Sequence, residues 1–169
     1  SVLNGFLRLQ RKDSDEDVDP RRLERETRII QALADTDVPV PEVYGWNADL
    51  QATLFERDLG RSDIDKLDDP AQQRAIMEDF IRVVAKMHTL DLEALGLDDI
   101  MAYKPITASE AALNELDLML SQWQGFLADY RDPLLTYSVD WLRRFVPEKV
   151  ARISLVQGDT GPVNFMFKG

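Results

Sequence analysis

The sequence predicts an α+β chain in two parts, a strand-rich stretch with one helix over residues 1–57 and a mainly helical stretch over 58–169. Two patterns carry this. Short apolar runs bounded by Pro, Gly and polar residues crowd the first part, whereas long segments with helical apolar spacing dominate the second. The polar connector Arg57-Asp58-Leu59-Gly60-Arg61 separates them.

Residues 6–10, Phe-Leu-Arg-Leu-Gln, read as the first strand, and the acidic stretch 12–19 reads as a loop. Asp19-Pro20 then reads as N-cap and first residue of a helix, because proline lacks only an N–H that would be unpaired there. Leu23, Ile30 and Leu33 set its apolar stripe, and Glu26 falls on the same stripe. A carboxylate facing apolar neighbours calls for a cationic partner. Arg8, between Leu7 and Leu9 on the first strand, is such a cation. The Val-Pro-Val-Pro segment 38–41 is held extended and leads into a strand at 42–45; a further strand is expected at 52–56. Asp69-Pro70 opens a second helix with the stripe Ile76, Phe80, Val83, Val84 and Met87, ending near His88. Thr107 and Glu110 form a capping-box pattern before the stripe Leu113, Leu116, Leu120, Trp123, Leu127 and Tyr130. A fourth helix is expected over 134–145, then strands at 153–156 and 165–167 flanking a turn-rich loop at 157–164.

Composition narrows the chemistry. Among 169 residues there is no Cys and a single His, which excludes disulfides, thiol nucleophiles and multi-histidine metal sites. With 20 Lys+Arg against 31 Asp+Glu the net charge is 20 − 31 = −11. That charge repels phosphate backbones and anionic lipid, so neither nucleic acid nor membrane is an expected partner. No apolar run approaches the roughly 18 residues that cross a bilayer, and residues 1–5 lack the pattern of a secretory leader. The expected compartment is the cytoplasm; oligomeric state is not legible.

The loop Gln157-Gly-Asp-Thr-Gly-Pro-Val-Asn164 carries an Asp and an Asn between two apolar runs. Phosphoryl transfer needs a carboxylate to orient and deprotonate the attacking hydroxyl, and oxygen ligands for magnesium. Asp159 and Asn164 supply both on one loop. A hairpin loop whose Asp and Asn merely make turn hydrogen bonds explains the same residues equally well. Other features read as structural: His88 as a helix-end residue, Trp123, Phe126 and Tyr130 as packing, and Glu110, Glu115, Asp117, Asp129 and Asp132 as a solvated face. Asp91 and Glu93 show no sign of hydrolytic pairing.

Residues 156–165, Val-Gln-Gly-Asp-Thr-Gly-Pro-Val-Asn-Phe, resemble the catalytic loop of aminoglycoside phosphotransferase-like kinases, a branch of the protein-kinase-like fold. Leu23-Glu-Arg-Glu-Thr-Arg-Ile-Ile30, the segment 38–44 and Phe55-Glu-Arg57 follow that family's order, as its N-lobe helix, strand-leading segment and interlobe hinge. The stretch 87–97, Met-His-Thr-Leu-Asp-Leu-Glu-Ala-Leu-Gly-Leu, is similar to kinase-like domains associated with acyl-CoA dehydrogenases. The resemblance implies a bilobal protein-kinase-like fold, with a partial N-lobe over 1–57 and a helical C-lobe over 58–169. It further implies an ATP- and Mg2+-dependent kinase acting on a small-molecule hydroxyl, whether aminoglycoside-, choline- or hydroxyacyl-CoA-like. Asp159 would be catalytic base and Asn164 a magnesium ligand; Arg8 and Glu26 would pair at the phosphates, and the Phe55, Glu56 and Arg57 backbone would meet adenine.

The chain departs from the family pattern at Arg8, where many relatives have Lys, at Gln157, where His is usual, and at Val163, where a small residue is common. Glutamine still donates and accepts hydrogen bonds, so tuning rather than loss is expected. No glycine-rich loop precedes Arg8, and the sequence stops at Gly169, short of the family's second metal-binding aspartate. The rival expectation is therefore a catalytically incomplete nucleotide-binding or scaffold module. A helical interaction domain unrelated to kinases is a third reading; it predicts no nucleotide binding and an exposed Glu26.

Overall fold

The computed structural model describes residues 4–10, 21–101, 103–123, 125 and 132–168. Three strands, β1 (Gly5–Leu9), β2 (Val43–Asn47) and β3 (Ala52–Glu56), form an antiparallel sheet of order β1-β3-β2. Four α-helices among the described residues complete a mixed α+β chain: α1 (Arg22–Leu33), α2 (Pro70–Met87), α3 (Ala108–Gln122) and α4 (Pro133–Arg144). No helix among them is long and apolar enough to cross a membrane. The chain forms two compact units, one of Ser1–Met101 with Ser154–Gly169 and one of Ala102–Ile153.

The caps explain most helix boundaries. Asp69 accepts the Ala71 N–H at 2.9 Å and places Pro70 at the first helical position. Thr107 and Glu110 complete both halves of the capping box. Asp132 accepts from Leu134 and Leu135, so α4 starts one residue before the apolar pattern indicates. Helix α1 differs from expectation: Arg21 is its N-cap, without a side-chain cap bond, and Asp19 and Pro20 lie outside the described residues.

The core of the first unit gathers Leu33, Val38, Met87 and Leu155, with Ile29, Val83 and Leu90 packed against them. The α2 stripe is as expected: Ile76, Phe80, Val83, Val84 and Met87 are shielded, joined by Gln73 and Met77. The expected strands at 153–156 and 165–167 do not form a ladder. Leu155 is buried, yet 153–156 pairs with no strand among the described residues, and only Phe167 bridges, to Arg61. An apolar run becomes a strand only where a neighbour supplies hydrogen bonds. Trp123 is also displaced from its expected packing position: as C-cap of α3 it leaves the helical stripe and is 49% exposed. Leu127, Phe126 and Tyr130 lie outside the described residues.

Helix α1 is fastened on two sides. Toward the sheet, the Thr27 hydroxyl donates to the Leu23 carbonyl at 2.7 Å and lies 2.6 Å from the Thr53 hydroxyl. A hydroxyl has one proton, so Thr53 is the donor between the two. Both side chains are sealed from water, at 1% and 0% exposure. Thr53→Val keeps the shape and strand preference but leaves the Thr27 oxygen one donor short, and should destabilise the fold by about 1–3 kcal/mol. Urea denaturation with an unchanged slope is the check; an unshifted midpoint means the pair carries no stability.

On its other side, α1 presents Arg21, Arg25 and Arg28, spaced along one stripe, to the turn after α2. Arg21 donates to the Asp99 carbonyl at 3.3 Å, Arg25 to the Ile100 carbonyl at 2.9 Å, and Arg28 grips the Asp99 carboxylate at 2.6 and 3.0 Å. The Arg28 guanidinium holds the Asp99 carboxyl below its usual range. A lowered carboxyl contributes stability above its unfolded pKa and loses it as pH falls through the folded value. The stability gap between wild type and Asp99→Asn should therefore close as pH drops through the carboxylate range, and shrink with salt because the pair is exposed. A gap independent of pH would show that the carboxylate charge contributes nothing.

Candidate functional site

Two clusters contain the candidate residues. The first is built by register. Arg8 in β1 stands opposite Thr53 in β3, and directly opposed residues share a sheet face. Since Thr53 is the residue that meets α1, Arg8 is presented to the same helix. It donates to the carboxylate of Glu26, one residue from Thr27. The sequence anomaly at Glu26 thus has its cation. The pair is half-buried, with side-chain exposures of 45% for Arg8 and 32% for Glu26.

The second cluster is the loop 157–164, exposed along most of its length and anchored at both arms. Upstream, Leu155 enters the core and the Ser154 hydroxyl donates to the His88 carbonyl at the end of α2, at 2.9 Å. Downstream, Phe165 stacks on Phe80 of α2 with ring centroids 4.2 Å apart. Phe167 is buried, and exchanges two 2.8 Å backbone hydrogen bonds with Arg61.

Within the loop, Gly158 takes φ +84°, a left-handed conformation that glycine adopts without strain. The Asp159 N–H donates to Gln157 Oε1 at 2.7 Å, so the glutamine holds the backbone beside Asp159. Asn164 Nδ2 donates to the Asp159 carbonyl at 3.0 Å, and the Asn164 N–H donates to the Gly161 carbonyl at 3.0 Å. Spending the amide nitrogen on that carbonyl assigns the orientation of the amide, leaving Oδ1 as the end that accepts or ligates. A Cβ on Gly161 would come within 3.7 Å of both Asn164 Nδ2 and Asp159 Oδ1. The Asn164 amide nitrogen and the Asp159 carboxylate thus both lie against Gly161.

Magnesium keeps several waters and takes one or two protein oxygens beside phosphate oxygens. The Asp159 carboxylate and Asn164 Oδ1 offer two oxygens on one loop. No group of three or more His, Cys, Asp or Glu among the described residues forms a metal cage. This donor set fits a cation whose shell is completed by water and phosphate.

The third set of candidates lies at the end of β3. Phe55 is buried in the central strand, while Glu56 and Arg57 are exposed. The Glu56 N–H is already given to the Glu42 carbonyl at 2.7 Å, and the Glu56 carboxylate accepts the Glu42 N–H at 3.3 Å. Among the described residues no hydrogen bond or ion pair joins Arg8 and Glu26 to Asp159 or Asn164. The two clusters sit on separate anchors of one compact unit.

Sequence reasoning missed Thr27, Thr53, the Arg21-Arg25-Arg28 row and the connector's grip on Phe167. Thr27 carried the same signal as Glu26, a polar residue on an apolar stripe. The acidic residues set aside mostly have local work. Asp91 accepts from the Glu93 and Ala94 N–H groups, Glu110 and Asp132 cap helices, and Asp117 pairs with Arg143. The Glu110 carboxyl is held low by the Ile106 and Thr107 N–H groups. Asp129 lies outside the described residues.

The chain is similar to known proteins over most of its length. The model of a family described as the phosphotransferase enzyme family matches residues 6–169. The probable acyl-CoA dehydrogenase IBR3 of Arabidopsis thaliana is 30% identical over 160 residues, covering 86% of this chain and 19% of its own length. Acyl-CoA dehydrogenase family member 11 of Rattus norvegicus is 28% identical over 158 residues, covering 86% of this chain and 19% of its own. The chain thus spans about a fifth of the length of these relatives. No solved structure matches it significantly.

Proposed function

The chain belongs to the phosphotransferase enzyme family, and on that premise we propose that it moves the γ-phosphate of ATP to a hydroxyl of a small molecule. The observation that carries this reading is the Asp159–Asn164 loop, where one backbone-anchored turn carries a carboxylate and an amide whose nitrogen is taken by the Asp159 carbonyl, leaving its oxygen to ligate. Asp159 orients the acceptor hydroxyl and takes its proton. Asn164 Oδ1 holds magnesium, which when bound offsets the charge of the phosphate oxygens. Glu26 steers Arg8 toward the α- and β-phosphates, and the Phe55–Arg57 main chain receives adenine. In this reading the partial N-lobe ends at Arg57 and the C-lobe starts at Asp58.

The acceptor is a small molecule and the site of action is the cytoplasm, where ATP is supplied. The relatives' names make a hydroxyl-bearing acyl-CoA thioester the first acceptor class to assay, ahead of aminoglycosides and choline-like alcohols. Calorimetry with ATP, with and without Mg2+, is the test, followed by phosphate transfer to those three acceptor classes. Magnesium-dependent ATP binding and transfer to one class are expected. Binding without transfer to any acceptor would make the chain a nucleotide-binding module, and absence of binding would overturn the reading.

A further inference from the structure

The connector after β3 and the chain beyond the loop meet at Gly60. A Cβ built on Gly60 would stand 2.9 Å from the Phe167 carbonyl oxygen, 3.1 Å from Asp58 Oδ1 and 3.4 Å from the Met166 Cβ. The nearest of these is backbone, which cannot swing aside as a side-chain tip does. Next to it, Arg61 and Phe167 exchange their two 2.8 Å hydrogen bonds, the backbone bridge that fastens residues 165–168 to the connector. Asp58 closes the arrangement from the other side. Its Oδ1 accepts the Gly60 N–H at 2.7 Å, and its Oδ2 lies 3.5 Å from Lys168 Nζ.

We propose that Gly60 is a positioning residue: lacking a Cβ, it lets the connector close on Phe167 and thereby sets where Asn164 and Asp159 stand. The link is short, since Asn164 lies three residues before Phe167 and its side chain holds the Asp159 carbonyl. An added methyl group must push Phe167 outward, lengthen the Arg61 bridge and pass the displacement to Asn164. The functional half of this inference rests on the phosphotransfer reading; the mechanical half does not.

The test compares Gly60→Ala with Gly45→Ala, a control glycine around which a new Cβ meets nothing within 4 Å. Amide hydrogen exchange reads the coupling directly. Protection at the Phe167 and Asn164 N–H groups should fall by about tenfold or more in Gly60→Ala and stay unchanged in Gly45→Ala. Unchanged protection in Gly60→Ala overturns the proposal. With an active acceptor, kcat should fall by about tenfold and the Mg2+ concentration for half-maximal rate should rise, while Mg2+-free nucleotide affinity stays within about twofold. Altered exchange with kcat and Mg2+ dependence untouched would leave Gly60 merely structural and overturn the positioning role. If Gly60→Ala fails to fold, Asp58→Ala loosens the same arrangement without adding an atom, and should shift both readouts in the same direction by less; no shift overturns the proposal. Wild-type protein that binds no nucleotide would sink the phosphotransfer reading, and the exchange measurement would still decide the coupling.

Discussion

Asp159→Asn is expected to lower turnover by about 10²–10⁴-fold while leaving nucleotide affinity within about twofold. The substitution keeps shape and hydrogen-bonding capacity but removes the ability to accept a proton. It isolates that function because the main chain at this position is held by its neighbours: the Asp159 N–H by Gln157 and the carbonyl by Asn164. The side chain is exposed, so stability should change by less than about 0.5 kcal/mol. Steady-state kinetics with the acceptor found by the transfer assay, together with ATP calorimetry on the same preparation, separates the outcomes. Full turnover in the variant would remove Asp159 from the chemistry and leave the loop as a turn.

The second large effect is on the fold. Leu155→Ala should destabilise the protein by about 2–5 kcal/mol, because it leaves a void among Leu33, Val38 and Met87. Its neighbour Val156 is 65% exposed, and Val156→Ala should cost less than about 0.5 kcal/mol. Adjacent residues of similar chemistry thus predict contrasting results, read from urea midpoints. Equal shifts would mean that the arm leading into the loop is not anchored through Leu155. Because that arm carries the loop, Leu155→Ala should also reduce whatever activity the folded protein has, whereas Val156→Ala should not.

The helices were the most legible part of the fold. Their signals are local: Asp69-Pro70, the Thr107–Glu110 box and the α2 stripe each act within one or two turns, and each forms as read. Helix α1 was legible through its stripe, including the charge at Glu26 that sought a partner, and Arg8 does reach it. The flanks of the loop were misread as strands because apolar runs report burial and not pairing. Leu155 and Phe167 are indeed buried, but one runs unpaired into the core and the other makes one bridge.

The loop's chemistry was legible as residue types in order, and its geometry was not. That Asn164 spends its nitrogen on the Asp159 carbonyl depends on the turn that Gly158 permits with its left-handed φ. That Arg8 faces Glu26 depends on the β1–β3 register, which places Arg8 opposite Thr53, and on the two threonine hydroxyls that seat α1 against that strand.

By itself the sequence determined the class of the chain, its main helices and the order of the Asp and Asn along the loop 157–164, because these rest on short-range patterns and side-chain chemistry. Tertiary structure alone decided which cation meets which carboxylate, which way the Asn164 amide is turned and why Gly60 has no room for a side chain. Those outcomes join residues far apart in the chain, and close approach between distant backbone segments leaves no periodic trace in the sequence.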